Sequence, residues 1–390
     1  MYKMIDRVGA PTRLVAVAVF LCSCSAAKEI AAIRLPGEIS RDAQVGLAIV
    51  GKKTIYAAYW EGSKARESKQ LAVYAVDVAT RRPLDHLVLT EDRMGDLASR
   101  RVRVFISEND SVLLCVARGI TAEKQEYAQL WTLSARPLKV LSRRNLSGLA
   151  QENLQFWGIT REGEVRVSTT PDWKEFARVT IIDLDSHDLD TEKEHRTIQF
   201  RSPAWMYLSV GLGDALWILE GDRPASGKQA VEAYDMRTGH ALGSHEIPGD
   251  DPVSGLTAVD GGVLVDISQP PSAAKVWSRL LRVALDSAKV QSSETVLGCD
   301  VAGVLEGSHE QVAVAGCEYV ERTVFDQYRT AKSQAIVIST ATASIVSIQP
   351  LNTGALALTL ALDDSNQNVM LAIYDRQGTV RVLALSERLR

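Results

Sequence analysis

From about residue 28 onward the chain is written in short runs in which apolar and polar residues alternate. The stretch from 205 to 247 shows the grammar. "WMYLSVGLG" and "DALWILEG" are two alternating runs, and the polar loop "DRPASGKQ" follows. "AVEAYDM" is a third run, "RTGH" a turn, and "ALGSHEI" a fourth run. Apolar alternation with a period of two, bounded by Gly, Asp and Ser, predicts half-buried antiparallel strands. No segment in this range sustains a helical period, so each unit reads as four short strands.

The unit recurs about every 50 residues, the spacing of repeat architectures. The ends of the third strands align as Asp77, Thr132, Asp183, Asp235, Ala284, Ser339 and Ser386. Repeated four-stranded units of this length are propeller blades. The expected fold is therefore all-β: a seven-bladed β-propeller of four-stranded antiparallel blades, one domain over 25–390. The last unit offers only three strands, "ALALTLALDD", "QNVMLAIYDRQG" and "TVRVLALSE". The strand Glu29 to Gly37 is expected to supply its fourth, a 1+3 closure that removes two exposed sheet edges.

The turn in "VEAYDMRTGHALGSHEI" has a physical rationale. Asp and Thr side chains bond the local backbone, and Gly239 supplies a positive φ. Ala233, Asp235, Thr238 and Gly239 match the pattern Ala-x-Asp-x-x-Thr-Gly, and Ala75, Asp77 and Thr80 match it in part. This resembles the repeats of bacterial extracytoplasmic propellers of the YVTN and quinoprotein types. Those repeats end in a docking Trp, where this chain has Gly243 and Asp85. The resemblance implies the fold; no cofactor is carried over.

The N-terminus adds a location. Lys3, Arg7 and Arg13 precede the apolar run Leu14 to Cys22, followed by small residues. That order predicts a secretory signal over 1–24, too short to span a bilayer, which needs about 20 apolar residues. "LCSC", Leu21 to Cys24, resembles a bacterial lipobox, which implies lipidation of Cys24. Ordinary cleavage near Ser25–Ala27 is the other reading. Ser25 beside the Cys implies, by the sorting habit of lipoproteins, a periplasmic protein anchored to the outer membrane. An oxidising compartment permits disulfides, and Cys299 and Cys317 flank an expected hairpin; whether they are opposed depends on the turn length, so a bridge stays open. Cys115, inside "SVLLCVA", reads as a small buried apolar residue.

Composition sets limits rather than a function. Of 390 residues, 46% are hydrophobic and 24% charged, with a formal net charge of -4. No basic stripe suggests nucleic acid, and a monomer is expected. His240 and His245 stand an odd number of residues apart, on opposite faces of a strand. No His-x-His, His-Glu-x-x-His, Cys-x-x-Cys or Gly-x-Ser-x-Gly occurs. The acidic run "DLDSHDLD", Asp183 to Asp190, falls on a turn and reads as solvated. Glu192 and Glu194 are carboxylates whose partners the sequence does not give.

The long connections carry the functional expectation. Second-to-third strand loops such as "EGSKARESKQ", "EGDRPASGKQ", "ISQPPSAAKVWS" and "EYVERTVFDQYRTAKSQ" are longer than the first-to-second turns. They share one face, where binding on a rigid scaffold concentrates. Trp60, Trp173, Trp205, Trp277, Phe325 and Tyr328 are assigned there as candidate contacts for a protein or other macromolecule. The competing reading of each aromatic is blade core. The competing function is a propeller-type enzyme, a lactonase or a carbohydrate-active hydrolase or lyase, with its site at the central channel.

Overall fold

The computed structural model describes residues 28–37, 39, 45–62, 69–92, 101–120, 126–149, 154–170, 176–210, 215–220, 229–247, 253–259, 261–268, 278–284, 295–297, 300–306, 311–322, 328–339, 344–351, 357–362, 368–375 and 378–388. Within 201–210 and 295–348 the description is of the backbone. Apart from a single 3₁₀ turn at Ser147–Leu149, the regular elements among these residues are strands.

The strands form six antiparallel sheets. In chain order, β1 (Lys28–Arg34) comes first and waits for a late partner. The first sheet holds β2 (Gly46–Val50), β3 (Thr54–Glu61), β4 (Lys69–Asp77) and β5 (Pro83–Asp92). The second holds β6 (Arg101–Ile106), β7 (Val112–Ile120), β8 (Glu126–Ala135) and β9 (Leu138–Asn145). The third has seven strands: β10 (Gln155–Ile159), β11 (Glu164–Thr169), β12 (Phe176–Asp185), β13 (Glu192–Val210), β14 (Ala215–Glu220), β15 (Gln229–Asp235) and β16 (Ala241–Ile247). The fourth holds β17 (Val253–Val259), β18 (Gly262–Ser268), β19 (Ser278–Ala284) and β20 (Thr295–Leu297). The fifth holds β21 (Asp300–Glu306), β22 (Gln311–Arg322), β23 (Tyr328–Ser339) and β24 (Ser344–Leu351). The sixth joins β25 (Ala357–Leu362), β26 (Asn368–Tyr374) and β27 (Thr379–Arg388) to β1. In it Glu29 faces Leu383 and Arg34 faces Thr379.

The sheets stack face to face, with the first strands side by side. β2 lies beside β25 and β6, β6 beside β10, β13 beside β17, and β21 beside β25. A strand covered on both faces needs apolar residues at every position, and β3 is buried at all of them except Glu61. Its residues divide between two cores. Ile55, Ala57 and Tyr59 pack toward Ala31, Ile33, Val380 and Val382 of the sixth sheet. Tyr56, Ala58 and Trp60 pack toward Leu113, Cys115 and Trp131 of the second. Outer strands keep the half-buried alternation, as in β9.

A small hydrogen-bonded latch ties the connection after β1 to the first sheet. Tyr59 Oη donates to the Pro36 carbonyl at 2.6 Å, and Tyr74 Oη donates to Glu61 Oε1 at 2.6 Å. Burial, with the Glu61 charge beside them, holds both phenols protonated far above the ordinary range. Gly37 has φ +73, and a Cβ there would stand 2.3 Å from Glu61 Oε1. The left-handed backbone and the close carboxylate both require glycine.

Three expectations change. The fourth strand of the last sheet runs Lys28–Arg34, not through Gly37. "EYVERTVFDQYRTAKSQ" is mostly strand, because β22 and β23 continue to Arg322 and from Tyr328, leaving 323–327 between them. The third-strand ends also shift in three units. Thr54 faces Asp77, Ala215 faces Asp235, Gly262 faces Ala284 and Gln311 faces Ser339. By the same pairing the equivalents elsewhere are Ser134, facing Val112; Asp185, facing Glu164; and Arg388, facing Asn368. Thr132, Asp183 and Ser386 lie two residues too early.

Candidate functional site

The connections fall at two ends of the sheets. One end carries second-to-third strand connections at 62–68, 121–125, 170–175, 221–228, 269–277 and 323–327. The other carries first-to-second turns at 51–53, 107–111, 160–163 and 260–261, with third-to-fourth turns such as 78–82, 136–137 and 236–240. The last unit reverses the lengths, with 363–367 after its first strand and 375–378 after its second.

The short turns satisfy themselves. Asp235 Oδ1 accepts from the N–H groups of Arg237 (2.9 Å) and Thr238 (2.7 Å) and from Thr238 Oγ1 (3.0 Å). Gly239 closes this turn at φ 72, its N–H donating to the Asp235 carbonyl. Asp77 does the same with Thr80, and Arg81 takes the left-handed position at φ 60. The Thr80 and Thr238 donors hold both carboxyls below the ordinary Asp range. Asp185 is lowered likewise, first by the His187 N–H and then by Lys193.

The acidic run has two fates. Asp183, which closed no turn, is sealed from solvent. Arg166 grips it in a fork, Nε to Oδ1 at 2.7 Å and Nη2 to Oδ2 at 2.9 Å, and Arg196 Nη2 reaches Oδ2 at 2.8 Å. Asp188 accepts from the Asp190 N–H and the Thr191 hydroxyl. Glu192 pairs with Arg144, and Glu194 with Arg196. These carboxylates serve the fold. Among the described residues no three His, Cys, Asp or Glu side chains converge as a metal-ion set.

No protein-family model matches the chain, and no curated protein matches it. Solved structures do. The β-propeller domain of Cps50 (Swd1) from Myceliophteria thermophila is similar at TM-score 0.52 and 11% identity, over 92% of this chain and 100% of that one. The fold is a β-propeller. BamB from Moraxella catarrhalis also matches, at TM-score 0.41 and 12% identity over 92% of this chain and 100% of that one.

Against the propeller scaffold, the six aromatics separate. Trp60 is 1% exposed, at the end of β3 between the first and second sheets. It is blade core, not part of a binding face, because a second strand is covered on both sides. Trp205 lies in β13 and Tyr328 opens β23, where only the backbone is described. Trp173, Trp277 and Phe325 lie outside the described residues, as do the signal segment and Cys24. Cys317 faces Asp300 in the β21–β22 register, and Cys299 lies outside the described residues. Cys115 is buried and free, and burial pushes its thiol up to about 12.

The docking-Trp position of the resemblance has a substitute here. Asp85, opposite Ala75, reaches the next sheet, its Oδ2 accepting from the Leu138 N–H at 2.7 Å. Sequence reading also passed over the bulges of the outer strands. Leu84, Leu141 and Leu242 each drop out of the strand register and stand exposed. An unbroken alternation carries no mark of an inserted residue.

Proposed function

We propose that this chain is a lipid-anchored, extracytoplasmic propeller of seven blades. Its last blade is closed 1+3 by β1, and it works as a monomeric binding scaffold for a protein or other macromolecule. Support for the blade count comes from dividing β13. Its first part pairs with β12 as an outer strand, and its last part pairs with β14 as an inner strand. The seven-stranded sheet then counts as two blades that share one continuous strand.

The observation that carries the binding reading is the asymmetry between the two ends. At one end the turns are short and bond their own backbone. At the other, connections such as 221–228 and 269–277 supply variable length on a rigid frame, where recognition residues are placed at least structural cost. The anchor reading rests on the Leu21–Cys24 segment.

Two measurements test the pair of readings. Expressed with its leader in a bacterium, the protein takes up labelled acyl chain and stays with membranes, and Cys24→Ala abolishes both. A photo-crosslinker placed within 221–228 or 269–277 gives adducts in intact cells, while one at Arg237 gives no adduct to the same partner. Adducts to that partner from Arg237 alone would overturn the assignment of the binding face.

A further inference from the structure

Several outer strands of the propeller carry one extra residue at the same place. Ala75 faces Asp85 and Val76 faces Pro83, so Leu84 has no partner in the register. Thr132 faces Ser142 and Leu133 faces Val140, which leaves out Leu141. Ala233 faces Gly243 and Tyr234 faces Ala241, which leaves out Leu242. These leucines are 56%, 37% and 45% exposed. With Val88 they are the exposed large apolar side chains among the described residues.

A bulge re-aims the residue it inserts. It also spoils an edge for unwanted pairing, but that role makes no demand for leucine. Lys193 fills the equivalent position on β13, between the Asp183–Glu194 and Leu184–Glu192 pairs, and is paired with Asp185 at 3.0 Å. Isolated surface leucines need no explanation. Leucine re-aimed outward at the same repeat position three times is a pattern.

Leu84 and Leu141 stand on neighbouring sheets, β5 packs against β9, and the Asp85–Leu138 bond fixes their spacing. The turns and strand starts that precede them carry Arg81, Arg82, Arg136 and Lys139, all exposed, with Arg136 also donating to Thr54 Oγ1. Acids at this rim are met locally: Asp77 by Thr80, Asp85 by the His86 and Leu138 N–H groups, and Glu108 by Arg161, while Asp110 adds an exposed carboxylate on the neighbouring turn. The N-terminal strand enters from the same end. Lys28 faces Ala384, near the end of a third strand, and third strands end at the short turns. Cys24 precedes Lys28 by four residues, an extended reach of about 14 Å.

We propose that this rim docks on an anionic phospholipid bilayer. Leu84 and Leu141 enter the interfacial zone, and the four cations meet lipid phosphates. Apolar side chains beside basic ones are the composition that binds such an interface. The proposal deepens the anchored reading and rests on it for the tether alone. Its consequence is orientation, with the long-connection face turned away from the membrane.

The test uses the mature chain carrying Cys24→Ser, which has no acyl group, sedimented with phosphatidylcholine vesicles with and without phosphatidylglycerol. Binding to the phosphatidylglycerol vesicles alone, reversed by salt, is the expected result. Leu84→Glu with Leu141→Glu lowers partitioning about tenfold. Arg81→Gln with Arg82→Gln lowers it about twenty-five-fold, since each surface cation is worth about fivefold. All four positions are exposed, so melting temperatures stay at the parent value and loss of binding is not loss of fold. Equal binding to both vesicle types, binding to a soluble polyanion but not to vesicles, or full binding by the leucine variant would each overturn the proposal. If the wild type is acylated in cells while the Cys24→Ser chain ignores vesicles, docking fails and the anchor stands. If the chain binds vesicles but Cys24 carries no acyl group, docking stands and the anchor falls.

Discussion

The seam inside the seven-stranded sheet and the rim turns of the same sheet both depend on aspartates, and they use them in opposite ways. At the seam, Asp183 is fully buried and its charge is met by Arg166 and Arg196, both nearly buried. Arg166 also reaches toward Met236 of the neighbouring half, beside the core of Ile181, Leu216 and Tyr234. At the rim, Asp235 is partly exposed and gives its carboxylate to three donors within three residues. The seam couples elements distant in sequence, while the rim couples a turn to itself. A buried charge that loses its partner has nowhere to turn, whereas water replaces the partner of an exposed one.

The contrast is broken most directly at Asp183. Asp183→Asn takes the buried charge from Arg166 and leaves Arg196 with Glu194, and should cost about 3–5 kcal/mol in urea unfolding. Replacing the three residues together, Arg166→Met, Asp183→Leu and Arg196→Met, should restore most of the loss, since an apolar isostere of a buried ion cluster is often neutral or better. If Asp183→Asn unfolds like the parent, the seam carries no more weight than a rim turn.

A purely apolar seam gives the next scale. Ile33, on β1, is 1% exposed against the first sheet. Ile33→Ala should cost about 2–5 kcal/mol. An unchanged melting temperature would remove β1 from the core. Gly37→Ala should cost about 1–3 kcal/mol through its left-handed backbone and the Glu61 contact. Glu61→Ala in the same chain should return the part due to the clash.

The smallest effect lies at the rim, and it depends on pH. Asp77, Asp185 and Asp235 have folded-state values below their unfolded ones. Their contribution is therefore complete above the unfolded Asp range and disappears as pH falls through the lowered values. Asp77→Asn with Asp235→Asn should flatten the acid limb of a melting-temperature profile and leave neutral pH nearly untouched. A limb of unchanged slope would mean that the Asp77 and Asp235 turns carry no acid sensitivity.

Much of this architecture was legible in the sequence, because period-two alternation and turn chemistry are local. The strands around Asp235, the Asp-Thr-Gly turn and the three-stranded last unit all appear where the pattern puts them. The errors come from what alternation cannot register. A slip of two residues returns every side chain to the same face, so Asp183 could stand in for Asp185 without disturbing the pattern. Its burial depends on Arg166 and Arg196, two strands that only the fold brings together. Trp60 ends a run, "TIYAAYW", with no polar break. That marks a strand covered on both sides, yet its place beside a loop suggested exposure. The strands β22 and β23 extend through residues that looked polar enough to be loop, because a two-stranded ribbon tolerates charge on both faces. Of the candidate binding residues, the sequence could supply residue type and connection, but not which side of the backbone would be covered.

The pairing of β1 with β27 also has a meaning in time. Among the described strands β1 is the first to be made and β27 the last. At about 5–20 residues per second, the roughly 350 residues between them take about 20–70 s to synthesise. Through that interval β1 has no strand to pair with, and the sixth sheet cannot be completed at any stability of the others. A chain halted before Thr379 should therefore keep the early sheets but carry "KEIAAIR" as an unmatched strand, open to pairing with another copy. The final ten residues of the last strand decide whether the first seven have a place.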